Sequence, residues 1–407
     1  MDTLEALERI AEAVLYEGYI LWPYRRSARK NQQRWTFGGV YPRGFCTATQ
    51  AGDAWRMQSQ CLLRGAAPSV EVELRCLQLV NRRVARPRAD GSLDFVDHIV
   101  ADGQRILAWD EAVERRVALP GAVSVAGGDS HQVMDGGTIV RDWQTLSGMG
   151  SLSVEPVADQ VWRLTATFEN TSRWLGADRT VAQRHSFLSA HMVLRARDGT
   201  LVSATDPPAE LAGYALENIG LWPVLVGSEG ATDTMLASPI ILSDYPQIAP
   251  ESPGLLFDSG EIDQLLMLNT LTLTDVEKEE VRATDPRTRA ILDRAESLTA
   301  EDFSALHGAI RDFRVLALER PTPTTVFISG AAVQPGSKVR LRPRHGADVF
   351  DLALDGRVAT VESIEQDYDE RVHLAVTLDE DPGRDLGALR LPGHRFFFSP
   401  DEVEPVG

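Results

Sequence analysis

The stretch VEVELRCLQLVNRRV, Val70–Val84, decides the fold. Val72, Leu74, Cys76, Leu77 and Leu79 recur among charged neighbours, close to the two-residue period of a strand that turns one face to a core. The same reading extends outward. VWRLTATFENTS (Val161–Ser172) and SFLSAHMVLRARDGTLVSATDPP (Ser186–Pro208) alternate likewise, and Arg197-Asp198-Gly199-Thr200 reads as a turn. From about Trp35 to Pro208 the strands are joined by Gly- and Asp-rich turns with no helical period between them, which predicts antiparallel sheets.

Helices are expected on either side. Asp2 and Glu5 form a capping box, Leu4, Leu7, Ala11, Val14 and Leu15 recur at helical spacing, and Gly18 and Pro23 end the helix. Further on, GEIDQLLMLNTLTLT carries Ile262, Leu265, Leu266 and Leu268; Thr274 with Glu277 is a capping box; Asp285-Pro286 is an N-cap followed by Pro; Thr299 with Asp302 starts a last helix running to about Arg314. LERPTPTTVFISGAAVQPG (Leu318–Gly336) reads as a linker, and SKVRLRPR, DLALDGRVATVESIEQD, RVHLAVTLDED and HRFFFSPDEVEPVG read as four or five short strands. The expected fold class is α+β: a mainly antiparallel β region with a leading helix over residues 1–258, a small helical segment over 259–317, a linker over 318–336, and a C-terminal SH3-like β-barrel over 337–407.

The chain of 407 residues carries 59 acids against 41 bases, a formal charge of -18, which opposes general nucleic-acid binding because phosphate is repelled at long range. The N-terminus has acids where a signal peptide needs bases, and no apolar run approaches a membrane span, so a cytoplasmic location is expected. Cys46, Cys61 and Cys76 are neither a disulfide framework nor a zinc-type pair and are expected to be free thiols. No metal and no cofactor is expected.

Against that charge, WPYRRSARKNQQRWTFGGVYPRGF (Trp22–Phe45) is an anomaly. It holds six bases, and no acid occurs from Gly18 to Gly52. Guanidinium groups grip carboxylates in bidentate fashion and stack on aromatic rings, and both residue types concentrate at protein interfaces. Trp22, Tyr24, Arg25, Arg26, Arg29, Lys30, Arg34 and Trp35 are therefore the candidate partner-binding residues. Two other readings compete: an internal strut for the acidic remainder, and a nucleotide or nucleic-acid site; Asp244, Glu251, Asp258, Glu261 and Asp263 could face the island within the chain or across a partner. GGDSHQVMDGG (Gly127–Gly137) is the most tempting loop for catalysis: Asp129, Ser130 and His131 could serve metal or nucleophilic chemistry in a metal-dependent hydrolase-like enzyme; its plainer reading is a flexible sheet connection. His185 and His191 are too far apart along a strand to share a metal. Asp379, Glu380, Asp381 and Asp385 lack the glycine and glutamate placement of a calcium loop. No catalytic residue is assigned.

VLYEGYILWPYRRSARKNQQRWTFGGVYP, SPIILSDYPQIAPESPGLLFDSGEIDQLLMLNTLTLTDVEK and DLGALRLPGHRFFFSPDEVEP together resemble a family of mostly uncharacterised bacterial proteins associated with gene clusters for uptake nickel–iron hydrogenases, notably the actinobacterial high-affinity type. The resemblance spans nearly the whole chain. It implies a non-catalytic accessory role in hydrogenase assembly, maturation or electron-transfer organisation, with a hydrogenase subunit or maturation factor as protein partner. It supplies no catalytic residues, and the chain lacks the clustered cysteines of an iron–sulfur carrier.

Overall fold

Val70–Val84 lies inside a much longer strand. β1 (Arg56–Pro87) is the spine of an eleven-stranded sheet whose pairings are all antiparallel. The computed structural model describes residues 3–34, 36–249, 252, 254–258, 261–299, 325–343, 354–366, 372–379 and 396–406. After β1 come β2 (Leu93–Val96), β3 (His98–Ala101), β4 (Gln104–Leu107), β5 (Trp109–Leu119), β6 (Gly121–Val125), β7 (Gly128–Met134) and β8 (Gly137–Trp143). β9 (Leu146–Ala158), β10 (Val161–Asn170), β11 (Leu188–Val202), β12 (Trp222–Leu225) and β13 (Thr234–Ser238) complete the region.

β1 changes partners along its length. One edge pairs with β10 over Arg56–Arg64, β5 over Val72–Arg82 and β2 over Val84–Pro87, while the other pairs with β11 over Leu62–Leu77 and β8 over Asn81–Ala85. A strand this long must bend. The pairing with β11 slips between Arg64 and Ser69 and again before Val70. The expected turn at Arg197–Thr200 is part of this device: β11 runs straight through it. Gly199 has φ +114, and a Cβ there would sit 2.4 Å from the Arg64 carbonyl oxygen, so the glycine allows two bulged strands to approach closely instead of reversing the chain.

Both faces of β1 are covered. Val72, Leu74 and Cys76 enter a core with Leu146, Phe168, Phe187 and Met192, to which β6 and β13 also contribute Val123 and Met235. Strands distant in the pairing order thus share one interior, so the sheet curls over it, although the pairings among the described residues close no ring. Leu77 and Leu79 point the other way, against Leu15, Tyr19, Tyr24, Met267 and Ile291. Each fully buried leucine contributes on the order of 1.5–3 kcal/mol.

The second face is covered by helices. α1 (Thr3–Tyr16) buries Leu7, Ile10, Ala11 and Val14 against Val193, Val224 and Leu236. It ends as expected at Gly18, whose φ is +73 and whose N–H donates to the Phe257 carbonyl. The expected box at Asp2 lies outside the described residues. Two short helices, α2 (Arg43–Thr49) and α3 (Arg179–Gln183), interrupt what the sequence reads as continuous β structure. α4 (Asp263–Leu271), α5 (Asp275–Thr284) and α6 (Pro286–Ser297) start where their caps predict: Thr274 and Glu277 form the reciprocal box, and Asp285 caps Pro286. On α4 the buried residues are Leu266, Met267 and Thr270, whereas Ile262, Leu265 and Leu268 are exposed. These helices are not a separate segment as expected. They pack into one core with the N-terminal strap and β1, and the chain divides into compact units at 310/311. The helix expected from Thr299 falls almost wholly outside the described residues.

A charged network fixes α1 to the sheet. Arg75 has only 2% of its side chain exposed and donates to Glu8 at 3.0 and 2.7 Å and to Glu73 at 2.7 Å. Arg116 on β5 reaches the same Glu8 carboxylate at 2.8 and 3.2 Å. Hydrogen bonding from Arg75 is the main reason the Glu8 carboxyl falls to about 2. Arg75 and Arg82, two of the charged neighbours in the alternating stretch Val70–Val84, are therefore buried and not solvated.

The second unit has its own core. β16 (Lys338–Leu341), β17 (Val358–Gln366), β18 (Val372–Leu378), β19 (Phe396–Phe398) and β20 (Val403–Pro405) form a five-stranded antiparallel sheet in the order β19-β18-β17-β16-β20. Part of the expected linker belongs to it. β14 (Val326–Ile328) and β15 (Ala331–Val333) pair as a hairpin that buries Ile328 and Val333 in this core. Residues 318–324 lie outside the described residues.

Candidate functional site

The acid-free N-terminal segment is a strap laid over α5, α6 and β3–β4. Its path is set by Asn31, which accepts from the Leu21 N–H at 2.9 Å and donates to the carbonyls of Leu21 and Arg25 at 2.8 and 3.1 Å. Tyr24 is fully buried and donates from its hydroxyl to the Leu256 carbonyl at 2.8 Å; burial pushes its pKa up. Arg25 pairs with Glu277 at 2.8 Å and Arg26 with Asp97 at 3.1 Å, while Ser27 donates to Glu280 at 2.7 and 2.9 Å. Arg34 is 7% exposed. Its guanidinium lies between the rings of Tyr19 and Trp109, at 4.3 and 4.6 Å from their centroids, and donates to the carbonyls of Tyr19 and Asp110.

The candidate partner-binding set therefore divides. Tyr24 belongs to the chain's own core, with zero exposure, and Arg34 is largely taken up by it, stacked between two rings at the wall of the cleft behind the strap. Arg25 and Arg26 are partly committed to ion pairs. Trp22 is half-buried, with Lys30 5.7 Å from its ring centroid, and Arg29 and Lys30 are exposed. Trp35 lies outside the described residues. The acids that meet the island are also not the ones expected. Among the described residues of that set, Asp258 bonds to it, accepting from the Trp22 N–H at 3.3 Å. Asp244 accepts from the Leu225 N–H and Asp263 from Ser252, and Glu251 lies outside the described residues. The ion-pair partners come from α5 and the β2–β3 junction.

Behind the strap is a cleft of about 650 Å³, in the usual range for a ligand site. Six arginines line it: Arg26 and Arg34 of the strap, Arg82 and Arg83 of β1, Arg105 of β4 and Arg184 after α3. Only three carboxylates join them in the lining, those of Asp97, Asp110 and Glu280. Arg82 is held by Glu111 at 2.8 Å and by the carbonyls of Leu107 and Thr284 at 2.9 and 2.6 Å. Burial pushes the Glu111 carboxyl up, but Arg141 and Arg82 outweigh it and hold it below its ordinary value. Arg83 pairs with Asp142 at 3.0 Å and Arg184 with Asp110 at 3.1 Å. The sequence reading missed four of these arginines because they come from distant segments. The Arg82-Arg83 pair at the end of an apolar strand was the available signal: one of two adjacent residues on a strand covered on both faces must turn inward.

The other candidates separate. Gly127–Gly137 is mostly strand β7, paired with β8 from Gly128 to Met134, not a free loop. Asp129 and His131 lie on one exposed face, 3.7 Å apart, and alternation puts Ser130 on the other. His191 is buried on β11, its Nδ1 3.0 Å from the Ser189 carbonyl, and burial lowers its pKa to about 4. His185 lies outside any strand and stacks on Trp174 with centroids 4.9 Å apart. All three cysteines are free; Cys61 and Cys76 are buried, which pushes both thiols up to about 12. Among the described residues no cluster of three or more His, Cys, Asp or Glu side chains is arranged to hold a metal. No described helix is long and apolar enough to cross a membrane.

No family model matches the chain, and no curated protein matches it.

Proposed function

We propose that the chain is a non-catalytic docking protein that takes an acidic segment of a partner protein into the arginine-lined cleft. The observation that carries this is the convergence of six guanidinium groups from four separate segments on one cavity in a chain of charge -18. Arginine forks suit carboxylates, and a local cationic site in an anionic protein selects by short-range contact, not by long-range field. The partner class rests on the resemblance noted in the sequence: a nickel–iron hydrogenase subunit or a maturation factor, met in the cytoplasm. The hydrolase-like alternative at Gly127–Gly137 loses its nucleophile, since Ser130 has neither Asp129 nor His131 on its side of the strand. An SH3-like reading of the C-terminal unit is supported by the return of β20 to pair with β16, the first strand of its sheet, and by the short 3₁₀ turn Pro400–Glu402 that precedes it.

The test is binding of the full chain to a glutamate-rich peptide, its glutamine counterpart, and single- and double-stranded nucleic acid. Only the glutamate peptide is expected to bind, more weakly as salt rises, because exposed charges are screened over about 10 Å at 0.1 M. Purified hydrogenase subunits then compete with the peptide. Binding of nucleic acid, or equal binding of both peptides, defeats the reading.

A further inference from the structure

We propose that Arg105 is the residue by which the cleft reads its ligand, and that it reads one carboxylate of an acidic peptide segment; this rests on the cleft being the docking site. Of the six arginines, Arg26, Arg82, Arg83 and Arg184 are each paired with a carboxylate, and Arg34 is clamped between two rings and two carbonyls. The Arg105 side chain has no hydrogen bond and no ion pair with any described residue; its Nε is buried without an acceptor, as is that of Arg184, whose terminal nitrogen is held by Asp110. A guanidinium in a cavity wall that finds no acceptor on any of its nitrogens, while every neighbouring one does, points to an acceptor that arrives from outside. Trp109, 9% exposed, lines the same cleft and also has a buried indole N–H without an acceptor.

Charge selects the ligand class. The six lining arginines exceed the three lining carboxylates by three. Outside the lining, Glu111 and Asp142 pair with Arg82 and Arg83, but Arg141 shares Glu111, so the excess becomes two. Arg34 is taken up by its two rings and two carbonyls, which leaves one cation, Arg105, to meet one carboxylate. A nucleic-acid strand or a polyphosphate would bring several negative charges against it, and a phosphate monoester close to two. The planar fork of Arg105 fits a carboxylate edge-on, while the hairpin β3–β4 that carries it fixes its height in the wall.

The experiment uses the full chain and short capped peptides that carry no, one or three glutamates, with glutamine elsewhere, read by fluorescence anisotropy at low salt. The first glutamate is expected to tighten binding by about tenfold, and later ones by much less. Arg105→Gln removes the first step, and Arg105→Lys, which keeps the charge but not the fork, restores it in part. Arg86→Gln, which removes the same charge from an exposed site outside the cleft lining, leaves the step intact. Melting temperature stays unchanged in Arg105→Gln, since no bond within the chain is lost. The inference is overturned if Arg105→Gln binds the one-glutamate peptide as the wild type does, if both variants lose equally, or if affinity climbs evenly with each glutamate. A wild type that does not distinguish three glutamates from none sinks the docking reading as well.

Discussion

Arg34→Ala is expected to destabilise the first unit by about 3 kcal/mol, the sum of two stacked cation–π contacts and two buried carbonyls left without a donor. The side chain is 7% exposed and is clamped by Tyr19 and Trp109. Arg34→Lys keeps the charge but loses the planar stack and the fork, and falls between alanine and wild type. Arg29→Ala and Lys30→Ala, at exposed positions of the same strap, should leave denaturant midpoints unchanged. The contrast separates strut from surface within a run of bases that looks uniform in sequence. Equal midpoints for Arg34→Ala and wild type would show that the strap is not anchored between Tyr19 and Trp109.

The second large effect is acid sensitivity in two steps. His191 is neutral when folded, its pKa lowered from 6.5 to about 4, chiefly by burial. Between those values the unfolded chain takes up a proton that the folded chain refuses, so stability is fully present above pH 6.5 and falls as pH drops toward 4, by about 3 kcal/mol at most. The Glu8 carboxyl, lowered from 4.5 to about 2, adds a loss that runs through that lower window. His191→Gln should flatten the upper part of the stability–pH curve and leave the lower part. Glu8→Gln should flatten the lower part and cost about 2 kcal/mol at neutral pH, because Arg75 is then left buried with Glu73 alone; the figure is discounted for a carboxylate that is 36% exposed. Urea midpoints measured from pH 7 to pH 3 decide this. A His191→Gln curve parallel to wild type across pH 6.5–4 would mean that the imidazole is not the group that titrates.

Much of the architecture is legible in the residues. Alternation finds β1, β10 and β11, and the caps at Thr274 and Asp285 fix two helix starts to the residue, because these are local signals with local causes. What is not legible is long-range. An Asp-Gly pair reads as a turn until the opposing strand is known to bulge at the same height. Ile262, Leu265, Leu266 and Leu268 look alike in sequence, and only the packing shows that Leu266, with Met267, is the one that is buried. The strap shows the limit most plainly. Composition marks Trp22–Phe45 as unusual, but whether each base meets a ring, a carboxylate or solvent depends on α5, β4 and β5, which lie far away in sequence. Arg105 had no sequence signal at all: it is one arginine in a short strand, and only the pairing of its neighbours makes it the odd one out.

Amide hydrogen exchange of the full chain, with and without a saturating glutamate-rich peptide, locates the binding surface directly. Slowed exchange is expected around the cleft, in residues 26–34, 97–110 and 180–184. Binding that slows exchange instead along the exposed strand 128–134, or only within residues 325–406, would contradict the cleft as the docking site.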